Sequence, residues 1–232
     1  MNGKANNKRK IYLVGGSKGG VGKSMVTMAL LEHLGGKGEK LVLIESDTSN
    51  PDVWKSYRDE LESHTINLDE ANGWIELVNL ADQYTDATVV INTAARNNQG
   101  VSRYGDTLAS TLGELSRELV TFWVINRQRD SLELLKEFTE ALPGSAVHVV
   151  RNGYFGDEEA FELYNGSKVR KSVEDAGGKS LTFPNLADRV SDDVYTKRLS
   201  LAKASAELPI GNRAELRRWL GLTSGMFAQV IP

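Results

Sequence analysis

The sequence contains no cysteine and only three histidines among its 232 residues. The lack of cysteine excludes a disulfide framework and any metal site built on thiolates, and it agrees with the reducing cytoplasm where we expect this chain to work. His33, His64 and His148 lack the spacing and the neighbouring ligands of a zinc site, so we expect each to be structural or solvated.

Long hydrophobic runs and a strong net charge are also missing. No apolar run approaches the roughly 18 residues that cross a bilayer, and a formal charge of −3 argues against a dedicated nucleic-acid coat. The basic N-terminus is followed by too short an apolar stretch for a signal peptide. We expect residues 1–9 to form a solvated basic leader and residues 10–232 to form a single domain.

The glycine-rich stretch from Gly15 to Ser24 stands between an apolar run and an apolar helical pattern. This strand, loop and helix context is typical of a phosphate-binding loop, in which backbone N–H groups and a helix N-terminus surround an anion. We expect Lys23 to neutralise the β- and γ-phosphates and Ser24 to face Mg²⁺. A turn that binds nothing would not need two lysines and a serine at these offsets. The residues predicted to contact the nucleotide here are Ser17, Lys18, Gly19, Gly20, Val21, Gly22, Lys23, Ser24 and Met25.

Apolar runs alternate with helical patterns along the rest of the chain. Strands are predicted at residues 11–14, 41–44, 88–91, 120–125, 146–150 and 180–183. One crossover helix is predicted from the spacing of leucines 108, 112, 115 and 119, and two more helices at residues 191–207 and 212–220. This alternation predicts an α/β fold with a doubly wound, mostly parallel sheet and helices on both faces, and a ligand at the carboxyl ends of the strands.

This loop differs from the common phosphate-binding motif at two positions. Ser17 stands where the motif has its first glycine, and Lys18 directly precedes the paired glycines. The pattern Lys-Gly-Gly-x-Gly-Lys-[Ser/Thr] resembles the deviant Walker A loop of the ParA/MinD family of dimerising ATPases. The resemblance implies ATP and Mg²⁺ as cofactors, and a nucleotide-dependent homodimer in which Lys18 reaches the partner's nucleotide. It also implies that Lys18, Lys23 and Asp47 are the catalytic residues.

Asp47 and Asn92 follow two of the predicted strands. The resemblance implies that Asp47 positions the attacking water and the metal's hydration shell, although an aspartate that caps its own turn would look the same. Asn92 stands where the family has its Walker B aspartate. An asparagine can accept a hydrogen bond from metal-bound water but brings no charge, so either slow hydrolysis or binding with hardly any turnover follows. The predicted metal-facing residues are Ser24, Asp47 and Asn92.

Asn126 looks like the family's adenine-contacting asparagine, and its amide could offer a donor and an acceptor to the base; a simple turn residue is the alternative. The pairs 151–152 and 183–184 end later strands and are further candidates for the wall around the base. Arg213, Arg217 and Arg218 lie close together near the end of the chain. They form either a membrane- or DNA-contacting patch or the solvated face of a packed helix.

The function predicted from these features is an ATP-binding, slowly hydrolysing dimerisation switch. The resemblance suggests plasmid partition, plasmid stability or conjugative mobilisation as its setting, with DNA or a DNA-bound adaptor protein as a further partner and membrane contact disfavoured. The alternative is a nucleotide-binding regulator or scaffold with little or no hydrolysis. A metabolic enzyme of the same fold would need further substrate-binding acids and basic clamps, to which the sequence does not point.

Overall fold

The computed structural model describes residues 9–16, 19–95 and 98–231. The strands of this part of the chain are β1 (Arg9–Gly16), β2 (Leu41–Glu45), β3 (Glu62–Thr65), β4 (Thr88–Asn92), β5 (Arg117–Ile125), β6 (Ala146–Asn152) and β7 (Ser180–Phe183). Its helices are α1 (Lys23–Gly36), α2 (Asp52–Tyr57), α3 (Ala71–Gln83), α4 (Asn98–Tyr104), α5 (Asp106–Ala109), α6 (Arg129–Ala141), α7 (Glu162–Asn165), α8 (Lys168–Asp175), α9 (Asp188–Thr196), α10 (Leu201–Glu207) and α11 (Ile210–Phe227).

The seven strands form one sheet in the order β3-β2-β4-β1-β5-β6-β7. Every neighbouring pair is parallel, which confirms the predicted doubly wound α/β fold. Because parallel strands end on the same edge of a sheet, the loop after β1 lies beside the ends of β4 and β5, and β2 ends one strand beyond β4. The register places Glu45 of β2 directly beside Asn92 of β4.

Both faces of the sheet are covered by helices. Successive residues of β1 point to opposite faces, so Tyr12 and Val14 join one hydrophobic core while Ile11 and Leu13 join the other. The first core includes α1 and the C-terminal helices, and the second includes α3 and α6. Each large apolar side chain contributes about 1.5–3 kcal/mol to the stability of the fold when it is buried. The two cores therefore hold the ends of the strands in fixed positions.

The predicted crossover helix is wrong over most of its length. Leu108 lies in α5, but Leu119 lies in β5, which begins at Arg117. Strand β5 pairs with the whole of β1, starting from Arg9 opposite Arg117. This long-range pairing outweighs the helical spacing of the leucines, because the backbone of the central strand needs a partner on each side.

The C-terminal helices and one edge strand also differ from the prediction. Residues 191–207 belong to two helices, α9 and α10, and Arg198 between them adopts a left-handed conformation with φ of 50°. The last helix begins at Ile210 and continues to Phe227, beyond the predicted 212–220. Strand β3 was not predicted, since its sequence Glu-Ser-His-Thr is polar, as is common for an edge strand.

The predicted leader falls largely outside the described residues; of residues 1–9, only Arg9 is described, as the first residue of β1. The division into a leader and a single domain therefore stays a prediction. Within the described ranges, none of the helices has the length and apolar character needed to cross a membrane.

Candidate functional site

The loop after β1 turns tightly into the N-terminus of α1. Gly20 and Gly22 have φ angles of +78° and +101°, which only glycine adopts without strain. A Cβ on Gly22 would lie 2.3 Å from Asn152 Nδ2, so the loop also lies close to the end of β6. The first turn of α1, all of which the structure describes, carries no acidic side chain. The positive end of this helix is therefore suited to an anion. Ser17 and Lys18 lie outside the described residues.

Lys23 begins α1 and is only 8% exposed. Burial lowers the pKa of its ammonium group to about 8, while the nearby carboxylates of Asp47 and Glu45 act in the opposite direction. A cation in so dry a position has exchanged much of its hydration for protein surroundings. Phosphate oxygens at the helix N-terminus would stabilise this cation, so Lys23 fits the role predicted for it.

Ser24 and Asp47 are both half-buried beside the loop. Asp47 Oδ1 accepts the backbone N–H of Asn50 at 2.9 Å, so the carboxylate does cap its own turn. Its charge still acts on Lys23, so the carboxylate lies close to the lysine that begins α1. The capping role and the predicted water-positioning role are therefore compatible in one side chain.

Asn92 is buried between two polar neighbours. Its Nδ2 donates to Glu45 Oε1 and Oε2 at 2.9 and 3.1 Å, and its Oδ1 lies 2.9 Å from Thr27 Oγ1. Thr27 Oγ1 is also 2.9 Å from the Lys23 carbonyl oxygen; its single proton can serve only one of these acceptors at a time. Asn92 is thus held in one orientation beneath the loop.

Glu45 is fully buried at the end of β2. Burial raises the pKa of its carboxyl group to about 7, and hydrogen bonds from the Asp47 backbone and Asn92 oppose the rise. The sequence analysis did not single out this residue. A charged residue that closes an otherwise apolar strand, Leu-Val-Leu-Ile-Glu, was the available signal.

These residues fit a nucleotide with Mg²⁺. The loop offers backbone N–H groups and a buried lysine, and Ser24 and Asp47 offer oxygen atoms near the same helix N-terminus. Among the described residues, no group of three or more His, Cys, Asp or Glu side chains is arranged to hold a metal ion. In phosphoryl-transfer proteins Mg²⁺ is commonly held by one or two protein side chains together with phosphate oxygens, and Ser24 and Asp47 are the side chains that would hold it here.

A cavity of about 190 Å³ opens next to the loop. Met25 lines it from α1, and the ends of β6 and β7 contribute Asn152 and Phe183. The indole N–H of Trp219 donates to the Pro184 carbonyl oxygen at 2.8 Å and so fixes the segment that follows β7. The apolar wall and the amide of Asn152 make this cavity suitable for a planar base.

Asn126 and Asn152 occupy different places. The oxygen of Asn126 accepts from the Gln128 N–H and the Ser131 hydroxyl at 2.9 and 2.8 Å, which is the turn geometry that sequence left open. Asn126 lines a separate cavity. Asn152, by contrast, donates to the Val21 carbonyl oxygen at 2.8 Å and lines the cavity beside the loop.

The three arginines near the C-terminus lie on α11. Arg218 forms two 2.7 Å hydrogen bonds with Glu215, while Arg213 Nη1 donates to the Ala206 carbonyl oxygen at 3.3 Å. Leu216 and Trp219 are fully buried on the same helix. This geometry favours the packed helix with a solvated basic face.

Comparison with known proteins assigns the family. A family model described as the CobQ/CobB/MinD/ParA nucleotide binding domain matches residues 12–152, more than half of the chain. The chain belongs to this family. The matched range covers the loop after β1, Asn92, Asn126 and Asn152, and it confirms the resemblance to the ParA/MinD proteins.

Two curated relatives extend over most of the chain. Protein MobD of Acidithiobacillus ferrooxidans is 68% identical over 211 residues, which cover 91% of this chain and 93% of that protein. A Protein TraL of Escherichia coli is 26% identical over 184 residues, which cover 71% and 74% of the two chains. The similarity to MobD thus extends beyond residue 152, where the match to the family model ends.

Solved structures of other proteins have the same fold. The MinD cell division protein of Aquifex aeolicus has a TM-score of 0.53 at 13% identity and covers 91% of this chain and 97% of its own. The nucleotide-binding protein of Archaeoglobus fulgidus, described in complex with ADP, has a TM-score of 0.50 at 15% identity, with coverage of 87% and 90%. At these identities the likeness shows the fold alone.

Proposed function

We propose that this protein binds ATP with Mg²⁺ and acts as a slowly hydrolysing switch whose ATP-bound form is a homodimer. The observation that carries the proposal is the buried Lys23 at the N-terminus of α1, within the field of Asp47 and Glu45. Such a lysine is suited to a polyphosphate, whose negative charge stabilises a cation in dry surroundings. The ADP complex described for the A. fulgidus protein supports a nucleotide as the ligand.

Each of the remaining site residues has a proposed role. Ser24 and Asp47 would face Mg²⁺ or its water shell, and Asp47 would orient the attacking water. Bound Mg²⁺ would supply charge neutralisation between the phosphates. Lys18 would complete the partner's site, and Asn92 would accept a hydrogen bond from the metal's water shell through the second lone pair of its Oδ1 atom.

A regulator or scaffold that binds nucleotide without useful turnover is the second candidate function. The observation that favours it is the engagement of Asn92 with Glu45 and Thr27, which leaves an uncharged amide at the position of the Walker B aspartate. Phosphate release measured with and without duplex DNA separates the two functions. A rate no faster than that of free ATP under both conditions would favour the regulator.

The setting that we propose is plasmid mobilisation or transfer. The relatives named MobD and TraL support it, and a DNA molecule or a DNA-bound adaptor protein would be the further partner. The contacts of α11 favour an adaptor over direct DNA binding by its arginines, because Arg218 is already paired with Glu215. The cytoplasm is the compartment in which such a switch would work.

Replacing Lys23 tests the nucleotide site. The variant Lys23→Ala should lose ATP binding, since it removes the cation proposed to contact the β- and γ-phosphates. Because two charge-assisted hydrogen bonds are lost, we expect the affinity for ATP to be at least about a hundredfold weaker. Titration with a fluorescent ATP analogue measures this loss. Lys171→Ala, which removes an exposed lysine from α8, is the matched control and should bind like the parent.

The fold should tolerate the loss of Lys23. Its pKa is about 8 in the folded protein and near 10.5 when exposed, so the unfolded chain binds the proton more tightly. The charge therefore costs stability at pH 7, and this cost disappears as the pH rises from about 8 to 10.5. Lys23→Ala without nucleotide should melt close to the parent at pH 7. An unchanged ATP affinity in this variant would show that the loop assignment is wrong.

A further inference from the structure

The carboxylate of Glu45 connects two of the three residues that are predicted to face the metal, Asp47 after β2 and Asn92 at the end of β4. Its Oε1 accepts the Asp47 backbone N–H at 3.0 Å, and both of its oxygens accept from Asn92 Nδ2. Glu45 and Asn92 lie directly beside each other in the parallel register. One buried side chain thus fixes the Asp47 backbone and the Asn92 amide together.

The hydrogen bonds also fix which end of the Asn92 amide faces Glu45. A carboxylate oxygen only accepts, so the amide nitrogen must face Glu45, and the amide oxygen then faces Thr27. An aspartate at position 92 would instead place two carboxyl groups in contact, which either repel each other as two charges or have to share one proton. Asparagine at this position therefore suits the ionised form of the buried Glu45.

We infer that Glu45 is the positioning residue of this nucleotide site: it orients Asn92 and Asp47, and in its ionised form it supplies, one strand further out, the negative charge that Asn92 lacks. This inference rests on the proposed function. A glutamate that only filled the end of an apolar strand would be costly there, because burying a carboxylate is unfavourable unless it is paired and hydrogen-bonded. Its field instead acts on Lys23 within the same site.

Exchanging the carboxylate and the amide between positions 45 and 92 tests, in the absence of nucleotide, whether these two side chains are paired. The variant Asn92→Asp should lower the melting temperature by roughly 5 °C, since it removes a charge-assisted hydrogen bond and brings like charges together. The double variant Glu45→Gln/Asn92→Asp restores one amide and one carboxylate in the opposite order. In it, the oxygen of the introduced glutamine can accept the Asp47 N–H while its nitrogen donates to the carboxylate at position 92. We expect it to melt within about 2 °C of the parent.

The single variant Glu45→Gln separates the positioning role from a structural one. The introduced glutamine can be accommodated if the Asn92 amide turns over, so the melting temperature should change little. The turned amide and the lost charge should raise the Mg²⁺ concentration for half-maximal binding of a non-hydrolysable ATP analogue by about tenfold, as substitutions next to metal ligands do. The double variant should return to within about threefold of the parent. Glu62→Gln, which removes an exposed carboxylate on the adjacent strand β3, is the control and should change neither measurement.

Two results would overturn the inference. One is a parental Mg²⁺ requirement in Glu45→Gln, and the other is a double variant that melts no higher than Asn92→Asp alone. A parent protein that binds no ATP analogue at all would refute the proposed function and, with it, the role of Glu45 toward the phosphates. The melting comparison, made without nucleotide, would then still show whether the two side chains are paired in the fold.

Discussion

At the scale of single residues, the site is built from buried polar side chains whose partners are far away in the sequence. Asn152 shows this arrangement most directly, because its amide nitrogen holds the Val21 carbonyl oxygen and its oxygen accepts the Tyr154 N–H. The glycine at position 22 leaves room for this amide. The loop is thereby held against β6 before any ligand arrives, which favours binding by reducing the conformational entropy lost.

Substitution of the two asparagines tests which one serves the nucleotide. Asn152→Ala leaves the Val21 carbonyl oxygen without this donor and removes an amide from the wall of the cavity. We expect about tenfold weaker binding of ATP, equivalent to the loss of one hydrogen bond. Asn126→Ala removes an acceptor that serves its own turn, so we expect binding within about twofold of the parent. Titration with ADP and ATP measures both.

The outcome decides between the two positions. Weaker binding in Asn126→Ala with unchanged binding in Asn152→Ala would support the role predicted from sequence for Asn126. It would also show that the cavity beside the loop does not hold the base. The prediction for Asn126 rested on its place after a strand, which Asn152 shares; only the cavity and the contact with the loop distinguish them.

At the scale of helices and strands, Arg117 connects the start of β5 to the end of α3. Its guanidinium is buried and donates to three backbone carbonyl oxygens, those of Ala81, Tyr84 and Ala87, at 3.1, 2.6 and 2.9 Å. The last carbonyl groups of a helix have no partner within it, so this side chain acts as the C-terminal cap of α3. Burial and the charge of Arg9 lower its pKa.

Replacement of Arg117 should therefore destabilise the fold without touching the site. In Arg117→Met the aliphatic volume is kept while three carbonyl groups, two of them buried, lose a charged donor, for which we expect about 3 kcal/mol. The corresponding drop in melting temperature is roughly 6–12 °C. Arg129→Met removes an exposed arginine paired with Glu133 and should change the stability by less than about 0.5 kcal/mol. Urea unfolding measures both, and a parental midpoint for Arg117→Met would refute the capping role.

Secondary structure could be predicted from sequence where the local hydrophobic pattern matches the burial of the segment in the folded protein. Strands β2 and β4 are continuous apolar runs buried on both faces, and α1 is apolar nearly all round because it lies between the sheet and the C-terminal helices. The prediction of a crossover helix was wrong because the leucines at 108, 112, 115 and 119 have helical spacing, although Leu119 lies in β5. Strand β3 could not be predicted because its sequence is polar and its strand conformation comes only from pairing with β2.

At the scale of the whole molecule, the sheet presents the loop, Asp47 and the cavity beside the loop on one rim, where a second subunit could cover them. Tyr154 and Tyr195, both exposed, lie beside the cavity on this rim. The dimer that we propose is isologous, and each Lys18 reaches the partner's nucleotide. Lys18 lies outside the described residues, so the dimer has to be tested in solution.

Light scattering after size exclusion tests this dimer. The parent should be a dimer with ATP and a monomer with ADP or no nucleotide. Lys18→Ala should still bind ATP through Lys23 but remain a monomer and lose most of its hydrolysis. Mixing Lys18→Ala with Lys23→Ala should restore part of the hydrolysis, because each mixed dimer has one site that holds ATP and faces an intact Lys18.

A monomeric parent at protein and ATP concentrations well above the nucleotide Kd would refute the dimer. The regulator without a switch would then be the better interpretation. Hydrolysis that is unchanged in Lys18→Ala would also contradict the role of this lysine in the partner's site, even if the parent dimerises.

The sequence by itself determined the tight glycine-rich loop between strand and helix, the family and the parallel sheet. These depend on local requirements: glycines that adopt positive φ, a lysine and a serine at fixed offsets, and apolar runs of strand length. Only the tertiary structure decided what surrounds the loop. Glu45 meets Asn92 across 47 residues, and Asn152 meets Val21 across 131. Such contacts follow from strand order and register, because parallel strands bring distant chain segments to the same edge of the sheet.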